Sequence, residues 1–180
     1  VPLVSIAMIL FFRDRPRLRL LSWAILVMHV VAFVTYIAVP VAPPWYVGLY
    51  GLGPADMSTP PHAAGALRFD HLVGAPILET WYQQNRNVFA AVPSMHAGIQ
   101  TIIALVLMGR SRFWAGLTWS LAGLMYFSAV YLDHHYILDL VVGAAYAGLA
   151  VTAVRLVDRW RGKVTIPVAV DAGGTPRAAP

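Results

Sequence analysis

The feature that most restricts this chain is the repetition of apolar runs of membrane-spanning length, punctuated by arginines. A hydrocarbon core about 30 Å thick takes roughly 20 apolar residues as a helix. Full runs lie near 21–42, 93–109, 113–131 and 135–157. The opening VPLVSIAMILFF, residues 1–12, is too short by itself and reads as the tail of a further span. The sequence starts at Val1 inside that run, without the basic flank of a signal peptide, so it is expected to be a fragment of a longer protein. Only 12% of residues are charged and 59% are hydrophobic, whereas a soluble domain has about 25% and 45–50%. The expected fold class is all-α: a polytopic transmembrane helix bundle, with about five spans in this fragment and six in the full protein.

Arginine placement orients the bundle. Arg13, Arg15, Arg17 and Arg19 form one basic connection, Arg110 and Arg112 a second, and Arg155, Arg159, Arg161 and Lys163 a third. With five spans these connections fall on one side, which positive charge marks as cytoplasmic. The net charge of +5 therefore serves topology, and no basic stretch is interleaved with aromatics in the way that nucleic-acid binding requires. Residues 1–163 read as one transmembrane domain, with 43–92 as a non-cytoplasmic segment and 164–180 as a disordered cytoplasmic tail rich in Pro, Gly and Ala. Within 43–92, APPWYVGLYGLGP reads as loop or interfacial backbone, with Trp45 and Tyr46 as interfacial anchors. DHLVGAPILETWYQQN reads as a short amphipathic helix lying on the membrane. The chain has no cysteine, which excludes disulfides, thiolate metal sites and cysteine nucleophiles.

Two stretches carry chemistry. In NVFAAVPSMHAG, Pro93 suits the first turn of a helix and His96 follows at once. In YLDHHYILDLVVG, His135 and Asp139 are spaced i, i+4, which places them on one helix face. In the five-span topology both stretches begin spans at the same, non-cytoplasmic face. A carboxylate inside an apolar run is expensive and is usually paired. Beside an imidazole it accepts a ring N–H and fixes the tautomer. Two helix N-termini directed at one spot favour a bound anion such as phosphate. Two histidines, a carboxylate and such a pocket point to phosphoryl transfer through a phosphohistidine.

PSMH followed by HYILD resembles the second and third motifs of the type-2 phosphatidic acid phosphatase superfamily, P-S-G-H and S-R-x5-H-x3-D. Ser128 matches the serine of the third motif, Ala129 stands where its arginine would be, and Met95 replaces the glycine of the second. The first motif, Lys-x6-Arg-Pro, has no match at the right side of the membrane. Together with PVAPPWY at 40–46, these variants resemble the inositol phosphorylceramide synthase-like and sphingomyelin synthase-like phosphotransferases, over about residues 36–150. The resemblance implies that His135 is the nucleophile, that Asp139 orients it and that His96 protonates the leaving oxygen. It implies a membrane lipid substrate, a phosphate or phosphodiester, with a polyol, a lipid hydroxyl or water as acceptor. No metal or other cofactor is required.

Loss of the family's lysine and arginines leaves the phosphate clamp to Arg86, Arg68, Ser94 and the helix N-terminal amides. Gln100, one turn beyond His96, is placed either to support it or to make a polar contact between helices. His134 takes a different face from Asp139, because adjacent helix positions point about 100° apart, and reads as a pocket-edge or solvated residue. Plainer readings remain beside these: His96 with a water partner, His135–Asp139 as a structural pair, His29 as packing, and Asp70–His71 as a solvated loop pair. Three alternatives for the whole protein are a lipid phosphate phosphatase, a non-catalytic metal site of His96, His134, His135 and Asp139, and a lipid carrier that has kept the fold.

Overall fold

The computed structural model describes residues 2–84 and 87–162; the predicted tail at 164–180 lies outside them. Eight α-helices follow in order: α1 Pro2–Arg13, α2 Arg15–Ala38, α3 Pro44–Tyr50, α4 Leu67–Val73, α5 Ile77–Tyr82, α6 Met95–Leu107, α7 Arg112–Tyr131 and α8 Ile137–Trp160, with a 3-10 turn at Ala64–Ala66. Among the described residues there is no strand, only one isolated bridge between Val41 and Ala90. The all-α reading stands; of the five expected spans, three fall on helices of spanning length, while α1 and α6 are apolar helices of 12 and 13 residues.

Three of these helices, α2, α7 and α8, are long and apolar enough to cross a membrane by length and composition. At about 1.5 Å per residue, the 24 residues of α2 and of α8 each reach about 36 Å. Their outward residues are large and apolar: Trp23, Val30, Val34 and Ile37 on α2, Leu117, Leu121 and Leu124 on α7, and Val141 and Leu149 on α8. In water such a surface would drive aggregation, whereas in lipid it costs nothing.

The centre is α6, with eight of its thirteen residues buried and packed against α2, α7 and α8. Ile102, Ile103, Val106 and Leu107 meet Leu20, Leu21 and Met28 of α2 and Ala147, Val151 and Val154 of α8. Small residues let these backbones approach. At Gly98 a Cβ would lie 1.6 Å from Met28 Cε, so the methionine fills the space a side chain would take.

The basic clusters meet at one end. Arg17 donates to the Gly109 carbonyl at 3.1 Å, Arg19 pairs with Asp158 at 2.9 Å, and Arg110 lies 3.9 Å from Asp14. The predicted loop RDRPRLR shrinks to Asp14, which N-caps α2 by accepting from Arg17 N at 3.2 Å. Pro16, at the start of the helix, costs no hydrogen bond there. Hydropathy marks what lipid covers, and this helix continues past it.

At the opposite end residues 39–84 and 87–92 form a cap. Its ends are pinned by Val41 N to Phe89 O at 2.9 Å and Ala91 N to Val41 O at 3.3 Å. Four expectations are corrected here. APPWYVGLY holds a helix, α3, and Tyr46 is no interfacial anchor. It is 4% exposed, stacks edge-on against Phe89, and its hydroxyl accepts from Asp56 N at 2.9 Å. The single amphipathic helix is two, α4 and α5, broken where Gly74 takes a left-handed φ of 71° before Pro76. Asp70 is not a solvated loop residue, since its carboxylate accepts from Leu78 N and Glu79 N at 2.9 and 2.8 Å and so caps α5.

Candidate active site

Two helix starts are locked together beneath the cap. Ser94 N-caps α6, its hydroxyl accepting from Ala97 N at 3.3 Å, while its own N–H donates to the Asp139 carbonyl at 3.1 Å. Pro93 therefore precedes the helix instead of occupying its first turn. The approach depends on Gly143 of α8, where a Cβ would lie 2.3 Å from the Ser94 carbonyl oxygen. From the α2 side, the Tyr36 hydroxyl donates to the Pro93 carbonyl at 2.7 Å.

The turn from α7 to α8 supplies the other side. The Ala129 carbonyl accepts from both His134 N and His135 N, each at 3.1 Å. Asp133 adopts a left-handed φ of 59°, which a short polar side chain tolerates. His135 consequently lies before α8, whose N-cap is Tyr136. The expected pairing along one helix face is corrected in its geometry. Asp139 reaches back over the helix start, where its Oδ2 accepts from Tyr136 N at 2.8 Å and lies 3.4 Å from His135 Nδ1.

On the far edge of that ring, His135 Nε2 is 3.2 Å from His96 Nδ1. The tautomers follow from this order. Asp139 is 2% exposed, and a carboxylate only accepts, so it favours the N–H at His135 Nδ1. That leaves Nε2 as a bare lone pair and makes His96 Nδ1 the donor between the rings. The 3.4 Å contact exceeds a formed hydrogen bond, and His135 Nδ1 has no hydrogen-bond partner among the described residues. Catalytic contacts of this kind tighten when substrate binds. His96 itself is exposed, so its ring has room to swing aside.

These groups open on a cavity of about 370 Å³, within the usual range for small-ligand sites. His62, Trp45, Tyr82, His96, His134 and His135 line it, with Phe33 and Met95 among its apolar walls. His134 is buried, and its ring stacks on Tyr82 at 4.6 Å and 7°. Burial first, then the imidazoles of His96, His135 and His62, push His134 down to about 4. Its Nε2 is buried with no hydrogen-bond partner among the described residues.

The remaining sequence-derived candidates are not all brought here. Ser94 is fully buried under its own cap and is absent from the cavity wall. Gln100 lies one turn along α6, outside the described lining. Arg68 is exposed on α4, its guanidinium 5.3 Å above the Tyr131 ring. Arg86 lies outside the described residues. The described lining includes no Arg or Lys. Ala129, at the motif's arginine position, is packed against Ala97 and Leu140, and the Ser128 hydroxyl donates back to the Leu124 carbonyl at 2.8 Å. Among the described residues no three His, Asp or Glu side chains are placed to hold one metal ion. His62, Trp45 and Tyr82 were not legible as site residues. Nothing periodic marks them, and the cap brings them in through turns.

The model of one family, the PAP2 superfamily, matches residues 1–153. The chain belongs to the PAP2 superfamily. Its membership agrees with the motifs at His96 and His135. Three curated relatives add detail. The phosphoinositol dihydroceramide synthase of Bacteroides thetaiotaomicron is 36% identical over 151 residues, 82% of this chain and 48% of that protein. The inositol phosphorylceramide synthase of Candida albicans is 33% identical over 147 residues, 79% of this chain and 30% of its own length. The inositolphosphotransferase 1 of Saccharomyces cerevisiae is 28% identical over 113 residues, 61% of this chain and 21% of its own. The chain thus spans about half or less of the curated relatives it matches. No solved structure matches it. Superfamily membership and the apolar outer surface make it an integral membrane protein.

Proposed function

We propose that this superfamily member is a headgroup transferase, moving a phosphoinositol-type group from a phosphodiester lipid to a hydroxyl of a ceramide-type lipid. His135 Nε2 attacks phosphorus, and the P–O bond to the donor's leaving lipid breaks as His96 gives that oxygen its proton. The acceptor hydroxyl then attacks phosphorus, His96 takes its proton, and the P–N bond breaks. Asp139 holds the Nδ1–H of His135 and stabilises the positive charge that develops on the ring. For phosphorus to reach Nε2, the His96–His135 contact must open, which the exposed His96 ring permits. The site faces away from the cytoplasm, since the arginine clusters lie at the other end. Residues 1–163 form one transmembrane catalytic domain.

The observation that carries this reading is the line from His96 through His135 to Asp139 beside the cavity, which supplies a nucleophile, its orienting carboxylate and an acid–base group at one place. The names of the relatives point the same way. The test is mass spectrometry of lipids formed in detergent from phosphatidylinositol plus ceramide, compared with phosphate release from phosphatidic acid. A phosphoinositol ceramide product is expected. Rapid phosphate release without that product would establish a phosphatase instead.

A further inference from the structure

His62 stands in the cavity wall with its tautomer already decided. Its Nδ1 lies 2.8 Å from Ala64 N. A backbone N–H only donates, so Nδ1 must be the bare acceptor, and the ring proton of the neutral imidazole is on Nε2. The ring is held against Trp45 at 5.4 Å between centroids. Both residues are tied to the turn that carries His134 and His135. Trp45 N donates to the Asp133 carbonyl at 3.1 Å, and Gly65 N donates to the Leu132 carbonyl at 3.0 Å. Gly65 has no room for a side chain, since a Cβ there would lie 2.9 Å from Leu132 Cα. Ala64, between them, takes a φ of 48°, a conformation that alanine holds only where its surroundings impose it. The segment His62–Gly65 is therefore docked on the turn before α8.

We infer that His62 is a substrate-positioning residue, its Nε2–H donating to a non-bridging oxygen of the donor's phosphodiester. Three observations on one ring carry this: the assigned proton, the anchoring to the turn that carries His135, and a place in the same cavity wall as His96 and His135. A neutral donor fixed in advance holds a singly charged diester without the cost of ordering a long cationic side chain. The inference rests on the transferase reading for its substrate, and its test is binding, which needs no turnover.

Two substitutions separate a ligand role from a structural one. In His62→Asn the amide oxygen takes the place of Nδ1 and still accepts from Ala64, but no group replaces Nε2–H. In His62→Gln an amide N–H stands near the Nε2 position while the acceptor for Ala64 is lost. Binding of dioctanoyl-phosphatidylinositol to the purified chain is measured by calorimetry, with melting temperature as the check on folding. We expect His62→Asn to bind about ten- to a hundredfold more weakly, the loss of one hydrogen bond to a charged oxygen, with an unchanged melting temperature. His62→Gln is expected to stay within a few-fold of wild type. Binding retained in His62→Asn, or lost equally in both variants, would overturn the inference. If the wild type binds the diester through His62 yet transfers no headgroup, the transferase reading fails and this one stands. If it transfers headgroup while His62→Asn binds normally, the reverse holds.

Discussion

Replacing Gly143 by alanine tests how the two helix starts are held together. The added Cβ would lie 2.3 Å from the Ser94 carbonyl oxygen and 3.2 Å from Ser94 C and N. Carbon atoms pack at about 3.5–4.0 Å, so α6 and α8 must part by about 1 Å at this level. Backbone, unlike the end of a side chain, cannot rotate away. Overpacking of this kind costs about 1–3 kcal/mol of stability. The larger effect falls on function, because Ser94 is two residues before His96 and its N–H is bonded to the Asp139 carbonyl at 3.1 Å. A displacement of about 1 Å in a catalytic pair costs about a hundredfold in rate. We therefore expect Gly143→Ala to fold, with a lowered melting temperature in detergent, and to transfer headgroup about a hundredfold more slowly. Gly98→Ala, whose Cβ meets the flexible end of Met28 and lies 3.3 Å from the Gly143 carbonyl oxygen, should lose less, and Gly148→Ala, with nothing within 4 Å, should lose nothing. A Gly143→Ala enzyme with wild-type turnover would refute the claim that the approach of the two helix starts at Gly143 positions the site.

His135→Ala is expected to abolish turnover and His134→Ala to retain substantial activity, measured as product formed per minute at saturating donor; the opposite ranking would move the nucleophile to His134. His134 is held near 4 in the folded chain by burial, against about 6.5 when unfolded. The unfolded chain therefore takes up a proton first as the pH falls. The stability linked to this group is complete above about pH 6.5 and is lost towards pH 4. Melting curves between pH 7 and 4.5 should fall less steeply for His134→Gln than for the wild type, and parallel slopes would refute the assignment. Single cysteines at Ser58 and Arg110 of this cysteine-free chain should react with an impermeant thiol reagent from opposite faces of a sealed vesicle; labelling from one face would overturn the orientation.

The three helices of spanning length were legible because lipid imposes a length and a composition, and the arginines told their ends apart. Arg17, Arg19 and Arg110 do meet across one end of the bundle. The local geometry of the site was less legible. An i, i+4 spacing implied one helix face for His135 and Asp139, yet α8 begins at Ile137, where Asp139 Oδ2 accepts from Tyr136 N and lies 3.4 Å from His135 Nδ1. Spacing predicted the contact, and the capping chemistry of Asp139 produces it by another route. His62 and Tyr82 could not be anticipated, since their place in the cavity depends on docking of the cap through Trp45 and Gly65, long-range contacts without a periodic signature. The family motif indicated where an arginine would be missing. Ala129, packed between Ala97 and Leu140, is the physical counterpart of that gap.

The most direct test of the central claim is to trap the covalent intermediate. Enzyme mixed with phosphatidylinositol and no acceptor lipid is quenched under alkaline conditions, in which a phosphoramidate survives, then digested and mapped by tandem mass spectrometry. The account predicts a phosphoinositol adduct on the imidazole of His135, absent from His135→Ala and discharged when ceramide is added before the quench. An adduct on another residue, or transfer at full rate by His135→Ala, would contradict it.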